Sequence, residues 1–124
     1  MIRTLFYIGA GSFLGGVARY GVSRIMARLM GLPSVWGTFV ANIAGCLFIG
    51  VIYGLMQRYN ILNDNLRLFL TVGFCGGFTT FSTFINENYA ILSDGRYFHM
   101  ALYAGISLVL GLVAVHFGYM LSRL

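Results

Sequence analysis

The chain has 124 residues, 59% of them hydrophobic and only 9% charged, with a mean hydropathy of +0.84. A soluble domain of this length cannot hide that much apolar surface, so a bilayer is the expected solvent and a water-soluble globular enzyme is excluded. The net charge of +5 is carried by arginines scattered singly along the chain. That pattern suits an anionic lipid surface and argues against nucleic acid as a partner.

A membrane span needs about 20 mostly apolar residues. Four stretches qualify as candidates, at roughly 4–26, 35–57, 66–92 and 98–121. They leave little chain over, so residues 1–124 read as a single four-helix transmembrane domain with no soluble appendage. The first stretch is too long for a signal peptide and carries Arg19 where an apolar core would be needed, so it reads as a retained helix. Its polar stripe runs Ser12, Gly16, Arg19. Arg19 either draws anions into a vestibule, snorkels to the interface, or pairs with Glu87.

Gly31-Leu32-Pro33-Ser34 joins the first two helices, the proline stopping one and starting the next. The second helix carries Asn42 centrally, one turn after Thr38. Its amide can donate two hydrogen bonds and accept through its carbonyl, either as helix–helix glue or as a pore donor. Residues 58–65, with Asn60, Asn63, Asp64 and Asn65, read as a turn.

The third stretch is the most informative. Gly73-Phe74-Cys75-Gly76-Gly77-Phe78-Thr79-Thr80-Phe81-Ser82-Thr83-Phe84 places glycines and hydroxyls where a lipid-facing helix wants Leu, Ile and Val. Irregular backbone at membrane depth is tolerated only inside protein or beside a watery cavity, and broken helices of this kind present carbonyls and helix ends to ions. A break in the third helix and an ion site built from backbone and hydroxyl groups are expected. Phe81 and Phe84 are either packing residues or rings whose positive edges face a small anion, with the hydroxyls of Ser82 and Thr83 beside them. Glu87, the sole glutamate, either lines a vestibule, holds Arg19, or is wet at the surface. Asp94-Gly95-Arg96 turns the chain into the fourth helix, where Tyr103 and Ser107 form a narrow hydroxyl track or bond back to their own helix.

Small residues recur at helical spacing: Gly11 and Gly15; Gly37, Ala41 and Gly45; Gly111 and Gly118. These favour close helix packing within and between chains. If the N-terminus faces the cytoplasm, Arg3, Arg58, Arg67 and Arg123 lie on that side and Arg19, Arg24, Arg28 and Arg96 on the other. The positive-inside rule then gives no orientation, and antiparallel pairing of two copies becomes possible. Cys46 and Cys75 are small hydrophobes, and no Cys/His cluster suggests zinc. A small multidrug exporter would need a carboxylate in the first helix, which is absent. A purely structural membrane subunit would leave the third helix and Asn42 unexplained.

Three motifs carry a family resemblance across essentially the whole chain: Gly15-Gly16-Val17-Ala18-Arg19-Tyr20, Gly37-Thr38-Phe39-Val40-Ala41-Asn42-Ile43-Ala44-Gly45, and the third-helix run above. Together they resemble the small fluoride channels of the Fluc or CrcB family. Ala41 stands where that family often has Val. The resemblance implies an all-α membrane protein that works as an antiparallel homodimer. It also implies passive, fluoride-selective export across the cell inner membrane by a non-enzyme, with two pores per dimer. A structural sodium ion would lie at the centre, held by the carbonyls of Gly76 and Thr79. Asn42 would be the pore amide, Phe81 and Phe84 the aromatic pair, and Arg19 the vestibule cation. Ser82, Thr83, Tyr103 and Ser107 would form the polar track, with Glu87 at a family acidic position.

Overall fold

The computed structural model describes residues 1–59 and 63–123. All regular structure among them is helical. Helix α1 spans Ile2–Leu29 and α2 spans Ser34–Tyr59. A third rod begins as α3 (Asp64–Leu68), widens into a π-helical segment (Phe69–Cys75) and closes with the short α4 (Gly76–Phe78). After a break at Thr79 and Thr80 it resumes as α5 (Phe81–Ser93), and α6 follows over Tyr97–Leu121.

Local chemistry sets these ends. Gly31 (φ 64°) and Gly95 (φ 76°) adopt the left-handed conformation that closes the α1–α2 and α5–α6 turns. Pro33 directly precedes α2, and its carbonyl accepts from the Trp36 N–H. The expected turn at 58–65 falls partly on residues 60–62, outside the described residues. On its described side, Asn63 caps α3 by accepting from the Leu66 N–H at 2.7 Å.

Among the described residues, three helices are long and apolar enough to cross a membrane: Ser34–Tyr59, Asp64–Ser93 counted through the break, and Tyr97–Leu121. The fourth expected span, α1, is as long but is not among them. Arg19 and a run of glycines and hydroxyls dilute its apolar character.

Burial is inverted relative to a soluble protein. The buried apolar side chains are Ala41, Ile52, Cys75 and Ala114, whereas Phe6, Phe13, Leu108 and Phe117 are all more than half exposed. Small residues form the seams and large ones face outward, as lipid-solvated helices require. The small-residue stripes pack within the chain. A Cβ on Gly11 would meet the Phe69 carbonyl oxygen, and one on Gly15 the Phe74 carbonyl oxygen, so α1 lies directly against the π segment. Gly37 sits against Ser23, Gly45 against the Thr79 side chain, Gly111 against Cys46, and Gly118 against Leu47. Helices α2 and α6 make the most extensive packing, running parallel, with α1 and the third rod beside them.

Candidate functional site

The break in the third rod is where the chain's polar groups converge. Thr79 (φ −87°, ψ 159°) and Thr80 (φ −148°, ψ 121°) are extended, so the helical ladder is interrupted here. In a continuous helix the Thr80 N–H would bond to the Gly76 carbonyl. It donates instead to Asn42 Oδ1 at 2.8 Å, while Asn42 Nδ2 donates to the Thr80 carbonyl at 3.2 Å. The Asn42 amide therefore grips both backbone groups of Thr80, as a neighbouring β-strand would. The Thr83 N–H, which a helix would direct to the Thr79 carbonyl, goes to Thr80 Oγ1 at 3.3 Å, the N-cap of α5. The Gly76 and Thr79 carbonyls are thus deprived of their helical donors, and the Gly77 carbonyl between them accepts from Arg19 Nε at 3.1 Å.

The glue reading of Asn42 is accordingly observed, but it does not exhaust the side chain. Asn42 also lines an open cleft of about 610 Å³, together with Gly76, Thr79, Phe81, Phe84 and Ser107, and one amide hydrogen is left over. Phe81 is 76% exposed. Its ring lies 6.4 Å from that of Phe84, which in turn meets Tyr103 edge-on at 5.0 Å. Ser82 and Thr83 are exposed on the first turn of α5 and do not line the cleft.

Glu87 lies one turn beyond Thr83, half-buried. Its carboxylate accepts from Tyr103 Oη and from Thr38 Oγ1, both at 2.8 Å. It does not hold Arg19: the guanidinium is engaged at Gly77, and among the described residues the ion pair found is Arg67–Asp64 at 3.7 Å. Tyr103 likewise does not bond back to its own helix. Ser107 lines the cleft, and its Oγ is buried without a partner.

Residues 6–119 match the family model described as CrcB-like protein, Camphor Resistance (CrcB). The chain belongs to the CrcB family. Its CrcB relatives include proteins named "Fluoride-specific ion channel FluC". The one from Azobacteroides pseudotrichonymphae is 39% identical over 99% of this chain and 98% of its own length. That from Bacteroides fragilis is 45% identical over 92% and 91%, and that from Phocaeicola vulgatus 45% over 98% and 100%. The resemblance carried by the three motifs is thereby established, and with its apolar helices this CrcB chain is a multi-pass membrane protein.

Two participants escaped the sequence reading. Thr80 matters through its backbone and as a cap, neither of which a side-chain inventory exposes. Thr38 was seen as a neighbour of Asn42, but its bond to Glu87 joins residues 49 apart in sequence. The π-helical turn was also unanticipated. Such turns are rare and gather at functional sites.

Proposed function

We propose that the protein is a passive fluoride channel of the bacterial inner membrane. The observation that carries the reading is the cleft at the break. There Asn42 with a spare amide hydrogen, Ser107 with an unpartnered buried hydroxyl, and Phe81 and Phe84 line one cavity. Fluoride is small and strongly hydrated, and it needs substitute donors to leave water. Conduction requires those donors to be numerous and individually weak. Neutral amides, hydroxyls and ring edges meet that condition better than a ring of ammonium groups. Arg19 adds positive potential near the mouth, while Ser82, Thr83, Tyr103 and Glu87 continue the polar surface along α5 and α6. The names of the relatives point to the same ion.

The working unit in this proposal is an antiparallel homodimer of four-span chains with two pores. The cleft is open on one side, and Phe81, an essential ring in this reading, is mostly uncovered in a single chain. A second copy would enclose both. A structural sodium fits the same frame. The Gly76 and Thr79 carbonyls lack helical donors and are hard, neutral oxygens. Two per chain are few for a hard cation, and a two-fold axis would double them. When bound, sodium would supply fixed positive charge that locks the two breaks together.

Recording in planar bilayers tests the proposal. Under a fluoride gradient the reversal potential should follow the fluoride equilibrium potential and ignore a chloride gradient. A reversal potential that follows chloride or protons would refute it.

A further inference from the structure

We propose that Arg19 is a positioning residue that decides which carbonyls of the break are left for a cation. The inference rests on the sodium reading above and deepens it.

The four carbonyls from Gly76 to Thr79 are those whose helical donors would come from Thr80 to Thr83, across the break. Two lose their helical donors to a side chain, Gly76 through Asn42 and Thr79 through Thr80. The Gly77 carbonyl lies between them in sequence, and Arg19 Nε holds it at 3.1 Å. A carbonyl bonded to a guanidinium is a poor cation ligand, because its lone pair is engaged and a positive charge stands beside it. Arg19 thus subtracts one oxygen from the array and fixes the peptide planes on either side.

The platform that carries Arg19 is rigid where it needs to be. Gly15 lies one turn before Arg19 on the same face of α1. A Cβ there would strike the Phe74 carbonyl oxygen and come within 2.8 Å of the Phe78 nitrogen. A Cβ on Gly77 would approach the Ser12 carbonyl oxygen at 2.5 Å and the Gly16 nitrogen at 3.1 Å. Backbone therefore rests on backbone at both ends of the clamp, which fixes the distance that the Arg19 side chain spans to the Gly77 carbonyl.

Charge and clamp predict different things. Removing the charge alone would change the affinity for sodium and potassium alike, since both are monovalent. Removing the clamp frees the Gly77 carbonyl and the spacing of its neighbours, so the preference between ions of different size is what should fall.

The test uses the purified full-length protein, with its thermal midpoint followed as sodium or potassium is titrated against a large organic cation. Wild type should be stabilised at lower concentrations of sodium than of potassium. Arg19→Met should lower that preference by about ten-fold, the worth of one charge-assisted hydrogen bond. Arg19→Lys, which keeps both a donor and the charge, should retain most of it. If Arg19→Met keeps the wild-type preference, or if a folded Arg19→Lys loses it altogether, the positioning role is wrong even though sodium still binds. If Arg19→Met does not fold, Arg19→Lys alone decides by the same criterion. If wild type is not stabilised by sodium at all, the sodium reading itself fails and the inference falls with it.

Discussion

Thr80 has both backbone groups held by one side chain, and that makes Asn42 the residue with most to lose on substitution. Asn42→Asp would set a carboxylate oxygen against the Thr80 carbonyl oxygen and remove the spare donor. A buried polar group left unsatisfied costs about 1–3 kcal/mol. The variant should melt earlier than wild type, and fluoride efflux read with an electrode should fall by an order of magnitude or more. Undiminished efflux would remove Asn42 from the pathway. Phe81 is the opposite case: mostly exposed, it contributes little to the fold of one chain. Phe81→Ile should leave the melting temperature of the folded chain nearly unchanged while slowing efflux. Normal efflux would retire the ring-edge argument. Asn42 and Glu87 were legible as candidates because an amide or a lone carboxylate at membrane depth is costly and therefore conspicuous, whereas Phe81, a residue type at home in lipid, stood out only through the family motif. Their partners were not legible. Sequence left Arg19 and Glu87 free to pair, and geometry sends one to the Gly77 carbonyl and the other to two hydroxyls.

At the scale of elements, the seam between α1 and the third rod is the most exacting contact. Gly15→Ala would force the new methyl into the Phe74 carbonyl oxygen, so α1 must move away. Overpacking of this kind costs roughly 1–3 kcal/mol. Gly21 has open space around it, and Gly21→Ala should be neutral or stabilising by up to about 1 kcal/mol. Thermal melts of the two variants in one detergent check the contrast, and equal melts would mean that the seam is not tight. The small-residue stripes announced close packing from sequence alone, but not against what. The period of a stripe fixes a helix face, not whether that face meets its own chain or a second one. The helix break was legible because glycine and hydroxyl residues replaced lipid-facing ones. The preceding π turn was not, since one extra residue per turn leaves no mark on an apolar pattern.

Over the whole molecule, the arginines divide between the two ends. Thr4 Oγ1 lies 3.3 Å from Asn65 Oδ1, and Arg58 Nη1 donates to the Ser122 carbonyl at 3.3 Å. The ends of α1, α2, α3 and α6 that carry Arg3, Arg58, Arg67 and Arg123 therefore lie together. The other end holds Arg24, Arg28 and Arg96, with Arg19 further in. Cation–π contacts of Arg24 with Tyr20 (5.9 Å), Arg58 with Tyr59 (5.0 Å) and Arg123 with Tyr119 (5.5 Å) place aromatic–cation pairs at both ends, as two membrane interfaces would favour. Without a charge bias the chain should insert in both orientations. In cells, a Ser34→Cys variant should be labelled by a membrane-impermeant thiol reagent in about half of the molecules. Labelling of all or none would exclude dual topology and with it the antiparallel dimer.

The most direct test of the account is ion efflux from liposomes that hold the purified protein, read with fluoride and chloride electrodes in parallel once a potassium ionophore is added. The account predicts rapid fluoride release that depends on the ionophore, with chloride retained. Folded protein that releases no fluoride, or that releases chloride as readily, would contradict it.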